Sequence, residues 1–464
     1  MLALLQNEWD EVMIECAEIK RHLDQTRQEL SQALYQNDAA CRVIARVVQE
    51  RDDARAELVA QRAAFKQAQD AADANAAAAA AKAAAAAAAA PAPAAMDVEE
   101  GEEAAAPAAA PSPATGIKDE VLLRMTDKWK ALSKKRKKRT ISAQLLDADT
   151  INAWREISKA SLHRTSPMGI TCLSLSTVDP DLVLTGGLDK NLIIYNRATR
   201  EQLSILQGHS KKIHDVCFHP TKPSLLVSCS ADKTTRVWKR QEVMADGNKP
   251  VYKTLHTLDH LFGEVVGVAI HATGDFLASA DSTQAWAFHD LIKGSLLRKV
   301  EKPEGATVGY SSIKFHPDGL ILATGTADSV VRIWDMKSQN NVANFEGHTS
   351  GAVNAIAFSE NGYYMASAGD DGCARLWDLR KLKEFHKLEL GGKVASVAFD
   401  YSASYMAVGG DGKAKVYAVK EWQELSSMTG FKKVVTGVQF GPDAKYLGTS
   451  CMDRTLRFYA LDNN

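Results

Sequence analysis

The order of apolar and polar residues changes character three times along the chain. From Leu5 to Leu58 apolar residues recur at alternating steps of four and three. The series includes Leu5, Trp9, Val12, Cys16, Ile19, Leu23 and Leu30, and no glycine or proline interrupts it. Such a seam predicts a helix whose apolar stripe needs another helix to cover it. Beyond Ala33 the seam continues through Ile44 and Val47 but weakens, with Asn37 and Arg51 on it. Leu34, Tyr35, Val43 and Val48 fall to one side and predict a second contact surface. Residues 1–70 are therefore expected to form a coiled coil that self-associates or binds a partner helix.

Residues 71–116 carry no bulky apolar face. Their alanine-rich first part has high helix propensity but nothing to pack. Their second part is acidic and broken by prolines, which predicts a flexible linker without a core. Over 117–157 helical spacing returns in Val121, Leu122, Met125, Trp129 and Leu132. A further short helix is expected over Ser142–Ile157, carrying Leu145, Leu146 and Trp154.

From about Gly169 the period drops to two. Segments such as VNAIAFS alternate, polar turns such as HPDG and SENG follow, and small-residue and aromatic-ended segments such as MASAGDD and ARLWD complete each unit. This is strand and hairpin grammar. The unit recurs near Gly169, Gly208, His260, Gly305, Gly347, Gly391 and Thr429, a period of about 40 residues, with GH starts at Gly208 and Gly347 and WD ends at Trp334 and Trp377. Seven such units, of about four strands each, predict a seven-bladed WD-repeat β-propeller over 158–464. The fold class is thus all-β, preceded by an α-helical coiled coil and a low-complexity linker.

In six units an aspartate precedes the last aromatic of the third strand by six positions: Asp189 and Tyr195, Asp232 and Trp238, Asp328 and Trp334, Asp371 and Trp377, Asp411 and Tyr417, Asp453 and Tyr459. The third unit, SADSTQAWAFHD, departs from this register, and an irregular turn is expected there. The seventh ends after its third strand at Tyr459. A blade left at three strands has an open edge, so Ser158–Arg164 is expected to supply the fourth.

Net charge and cysteine usage narrow the picture. A formal charge of −1 gives no global basic field of the kind a general nucleic-acid binder shows, so contact with RNA is expected to be indirect or weak. No apolar stretch has the length and bulk of a membrane span. The seven cysteines are scattered without CxxC pairs or zinc spacing, as suits reduced thiols. One local charge run stands out: Lys134, Lys135, Arg136, Lys137, Lys138 and Arg139 form six consecutive basic residues, a pattern that fits a nuclear-import signal or a nucleic-acid contact, of which the first is expected.

Candidate chemistry largely dissolves into the repeat. His209, Ser228 or Ser230, and Asp232 would suit a hydrolase, as would His348, Ser367 and Asp371. A nucleophilic triad, however, needs one activated serine in one cleft with an oxyanion hole. Here the trio recurs with a tryptophan at the repeat period. The expectation is a structural relay in the blades, from His209 through Asp232 and a hydroxyl to Trp238, and likewise through His348, Asp371 and Trp377, with Asp328 and Trp334 in the fourth unit. GGDGKA lacks the first glycine and the final Ser or Thr of a phosphate loop. His219-Pro220 and His316-Pro317 are turns rather than metal sites. No catalytic, metal or cofactor-binding residues are assigned.

The segment ELSQALYQNDAACRVIARV, following the heptad helix and joined through a basic run to HATGDFLASAD, FHPDGLILATGTADS, FSENGYYMASAGDDG and LWDLRKLK, resembles the pre-mRNA-processing factor 19 family of U-box and WD-repeat ubiquitin ligases. That resemblance implies a nuclear scaffold of a spliceosome-associated complex, with a role in DNA repair. It implies a homotetramer through the coiled coil, Myb-like and other spliceosomal partners, and a propeller that docks proteins or substrates. The family's U-box would precede the coiled coil, and its residues are not found in the sequence. Recruitment of a ubiquitin-conjugating enzyme is therefore expected only with that domain restored.

Overall fold

The computed structural model describes residues 117, 119–137, 139, 141–245, 249–301 and 308–461. The chain divides into two units, Met1–Ala110 and Pro111–Asn464, and everything described belongs to the second. The expected coiled-coil seam (Leu5, Trp9, Val12, Ile19, Leu23, Leu30, Ile44 and Val47), the whole linker over 71–116, and Lys138 lie outside the described residues.

Seven four-stranded antiparallel sheets make a β-propeller. The first strand of each blade touches the first strand of the next, and Ile170–Leu175 of blade 1 touches Val435–Phe440 of blade 7, so the ring is closed. Position in the blade decides composition. In blade 5 the second strand, Tyr364–Gly369, reads YMASAG and the third, Cys373–Asp378, reads CARLWD, and both are almost wholly buried. These strands pack on both faces, so alternation gives way to continuous small and apolar residues. The outer strand, Lys383–Glu389, is buried only at intervals and reads KEFHKLE. Hydrophobic clusters fill the wedges between neighbouring blades. One joins blades 3 and 4 through Phe276, Trp286, Phe288, Tyr310 and Trp334. Another joins blades 6 and 7 through Tyr405, Val416, Val438 and Leu447.

Blade 7 is completed from upstream. Arg155–Ser161 pairs antiparallel with Thr455–Ala460, from Arg155 opposite Ala460 to Ser161 opposite Thr455, with a bulge between Glu156 and Ser158. The closing strand thus starts three residues earlier than Ser158. The helix expected over Ser142–Ile157 shrinks accordingly. Only Ala148–Asn152 is helical, because the ladder with the last strand claims the chain from Arg155 onward.

The segment before the closing strand is a strap on one face of the propeller. Helix α1 spans Asp119–Lys137 and helix α2 spans Ala148–Asn152. Ile117 and Met125 are buried in the wedge of blades 3 and 4, with Val121 and Leu122 packed beside them. Arg124 bonds Asp275 in blade 3 at 2.7 Å. Arg136 pairs with Asp318 in blade 4. Arg139 lies 4.6 Å from the ring centroid of Tyr401 in blade 6. Leu146 accepts a 2.7 Å bond from the Tyr405 hydroxyl, and Ile151 and Trp154 enter the wedge of blades 6 and 7. The strap follows the turns between first and second strands, blade after blade.

Candidate docking faces and the blade interior

The recurring His, Asp, Ser and Trp residues are joined inside the blades. In blade 2, His209 Nδ1 is 2.8 Å from Asp232 Oδ2 and its Nε2 is 2.8 Å from Ser228 Oγ. Trp238 Nε1 donates to the same Ser228 Oγ at 2.8 Å. Blade 5 repeats this with His348, Asp371, Ser367 and Trp377 at 3.0, 2.8 and 2.8 Å. The order differs from the sequence expectation. Histidine stands in the middle, between the carboxylate and the hydroxyl, and the tryptophan ends the line. Every proton has a use: Trp N–H to Ser oxygen, Ser O–H to Nε2, Nδ1–H to carboxylate. Ser228 and Ser367 are fully buried, so neither hydroxyl can reach a substrate. Ser230 bonds the carbonyls of Lys211 and Lys212 instead.

Burial opposes the charge on Asp232, but bonds from His209, Thr234 and Ser210 outweigh it and hold the carboxyl below its ordinary range. Asp371 behaves alike, with burial outweighed by His348 and backbone N–H groups. Burial lowers His348, and Asp371 only partly offsets this.

The other blades depart from this scheme in ways that follow from their sequences. Blade 1 has a relay that the sequence did not reveal. His163, just after the closing strand, bonds Asp189 at 2.7 Å and Thr185 at 3.0 Å. No GH pair marks it, and Tyr195 stands where tryptophan would be. In blade 4 the expected link between Asp328 and Trp334 is not made. Trp334 donates to Thr324 at 3.0 Å, while Asp328 accepts from Thr326. The loop entering this blade contains no histidine to bridge them. In blade 3 the irregular turn is not found. The pairing of Phe276–Asp281 with Trp286–Asp290 runs without a register shift. Asp281 caps the hairpin by accepting from the Thr283 and Ala285 amides, both at 2.9 Å. His289 takes the third-strand position that tryptophan fills in blades 2, 4 and 5 and tyrosine in blades 1, 6 and 7, and its ring lies 5.2 Å from that of His260.

The two His-Pro turns, and a third turn at His271, act between blades. His219 Nε2 lies 2.8 Å from the Gly274 carbonyl, His271 Nε2 2.8 Å from Gly319, and His316 Nε2 3.2 Å from Gly362. Each histidine belongs to one blade and each glycine to the next. Among the described residues no group of three or more His, Cys, Asp or Glu could hold a metal.

The basic run divides. Lys134 and Lys135 are exposed on α1, whereas Arg136 is half-buried against Asp318 and Gly362, and Arg139 rests on Tyr401. The Lys137 side chain and Lys138 are outside the described residues. Among the described residues the recurring polar side chains form relays within blades and staples between them.

Comparison with known proteins adds to this. The family model of the Prp19 WD40 domain matches residues 162–453, and a Prp19/Pso4-like model matches residues 1–60. Pre-mRNA-processing factor 19 of Mus musculus is 40% identical over 466 residues, covering 99% of this chain and 86% of the relative. The protein of the same name from Oryza sativa subsp. japonica is 41% identical over 469 residues, with 99% and 83% covered. That from Homo sapiens is 39% identical over 466 residues, with 99% and 86% covered.

Proposed function

Because the chain belongs to the pre-mRNA-processing factor 19 family and carries that family's WD40 propeller, we propose that it is an oligomeric scaffold of a nuclear splicing complex. One observation carries this reading: a heptad seam over a stretch that matches the family by itself, joined to a propeller whose recurring His, Ser, Asp and Trp side chains bond one another inside the blades. A seam of that kind supports helix association, and a tetramer would present several propellers at once. Multivalent display strengthens weak contacts without new ones. The partners are Myb-like and other spliceosomal proteins, and DNA repair factors are a second set. Among the described residues of the basic run, Lys134 and Lys135 are exposed and would be open to an import receptor.

Mass measurement of the purified chain in solution tests the assembly. A tetramer at micromolar concentration is expected, and a monomer would overturn the reading. Restoration of splicing in an extract depleted of its own family member tests the role. Membership in this family also favours ubiquitin-ligase activity. Incubation with ubiquitin, activating enzyme and conjugating enzyme decides that reading: chain formation by these residues alone supports it.

A further inference from the structure

The propeller face opposite the strap carries the turns between second and third strands and the loops entering each blade. On it, three successive blades place a cation in a strained turn. Arg454 in blade 7, Lys190 in blade 1 and Lys233 in blade 2 each follow the turn aspartate, at φ of 74°, 69° and 71°. Blades 5 and 6 use Gly372 and Gly412 at the same position, at 78° and 68°. Blades 3 and 4 place Gln284 and Ser329 there, at 69° and 70°, so the turn accepts a side chain although left-handed backbone favours glycine. What sets blades 7, 1 and 2 apart is that the side chain is a long cation in three neighbours in a row.

The neighbouring carboxylates are turned inward. The side chains of Asp453, Asp189 and Asp232 are 8%, 3% and 6% exposed, each held in hydrogen bonds within its blade. Lys432 and Lys433, on the loop entering blade 7, are exposed beside them. Among the described residues, none of these five cations has a carboxylate within ion-pair distance. The result is a cationic crescent on a protein whose overall charge is near zero.

An apolar notch opens at one end of the crescent, a cavity of about 410 Å³. Leu188, Val434 and Met452 line it, with Met168 at its rim, and Lys432 and Lys433 flank it. Met168 is 46% exposed, and its Sδ lies 3.0 Å from Arg454 Nη1. Asp411 also lines the notch, with its Oδ2 accepting the Lys393 amide at 3.1 Å. Among the described residues no aromatic ring lines the notch for a base to stack on, the feature that single-stranded nucleic acid sites use. Methionine and aliphatic side chains instead suit an apolar anchor.

We propose that blades 7, 1 and 2 form a docking site for an acidic peptide segment of a partner protein, which seats one apolar side chain in this notch. The proposal rests on the reading of the propeller as a docking head and supplies the chemistry of what it holds.

The test measures fluorescence anisotropy of the full chain with three probes: a glutamate-rich dodecapeptide with a central leucine, the same peptide with serine in its place, and a dodecamer of uridylate. The leucine peptide is expected to bind, and the serine peptide on the order of tenfold more weakly, the worth of one buried apolar side chain. The variant K190G/K233G/R454G is expected to weaken the leucine peptide by on the order of tenfold or more, as close charge pairs at interfaces do. Its thermal midpoint should hold or rise, because glycine suits all three turns. Equal binding of the two peptides, full binding by the glycine variant, or binding of RNA without peptide would each overturn the proposal. If the peptides fail while the full chain still recruits spliceosomal proteins through its propeller, this site is wrong and the scaffold reading stands.

Discussion

His271 of blade 3 donates its Nε2 proton to the carbonyl of Gly319 in blade 4, across 2.8 Å, while its Nδ1 accepts the Thr273 amide at 3.1 Å. His219 and His316 repeat the arrangement, with Nδ1 accepting from the Thr221 and Asp318 amides respectively. Three turns are thereby locked to their neighbours, and each ring is fixed as the neutral tautomer. A second proton would land on the nitrogen that is already accepting.

Stability should consequently fall between pH 6.5 and about 4. Burial lowers His271 and His316 to about 4 and lowers His219 as well. Buried His289 falls to about 3. In that window the unfolded histidines take up protons and the folded ones do not, so lowering pH favours unfolding. The stabilisation is complete above the unfolded value of about 6.5 and is lost as pH falls through the folded values. Thermal midpoints recorded from pH 7.5 to 4 should decline, and His271→Gln should flatten the slope. A constant midpoint over this range would contradict the account.

The same staple makes glycine obligatory at its far end. Gly319 has φ 80°, and a Cβ there would lie 2.3 Å from His271 Nε2. Gly319→Ala is expected to lose about 2–4 kcal/mol in denaturant unfolding, from backbone strain and the displaced ring together. Gly391, with nothing within 4 Å of its built Cβ, is the comparison site. Its alanine variant bears only the strain of φ 74° and should lose about 1 kcal/mol.

Ser228→Ala should destabilise by about 1–3 kcal/mol, since His209 Nε2 and Trp238 Nε1 would both be left buried without a partner. Because the three groups form one line, Ser228→Ala combined with His209→Ala should lose less than the sum of the two. Strict additivity in this double-mutant cycle would contradict the relay.

The visibility of these features in the sequence followed the distance over which each is encoded. The blades were legible because strand, turn and strand lie within one repeat. The relays of blades 2 and 5 were legible because GH and the Ser, Asp and Trp recur in register. His163 was not, since it sits beside a strand donated to a different blade and lacks its GH mark. The strap's helix α1 was legible from Val121, Leu122, Met125, Trp129 and Leu132, but the strap's docking on the propeller was not. Its helix reads as an exposed charged one, and its anchors Asp275 and Asp318 lie 151 and 182 residues beyond Arg124 and Arg136. No local pattern announces a partner so far downstream.

Removal of Arg155–Ser161 tests the closure. The edge of Thr455–Ala460 would lie open, and the wedge between blades 7 and 1, which includes Leu162 and Phe458, would lose one wall. A fall of roughly 10 °C or more in the thermal midpoint is expected, together with self-association through the unpaired edge. An unchanged, monodisperse melt of the isolated propeller segment would argue against closure by this strand.

The strap also gives the propeller a mechanical property. Tension arriving from the N-terminal side enters at Ile117, not at the closing strand. It must detach Met125, Arg124, Arg136, Arg139, Leu146 and Trp154 one after another before it can peel Arg155 from Ala460. The strand that completes the ring is therefore shielded from pulling by a row of sacrificial attachments. A domain held on such a tether can be tugged by its neighbours in a large assembly and yield stepwise at its strap while the ring itself stays shut.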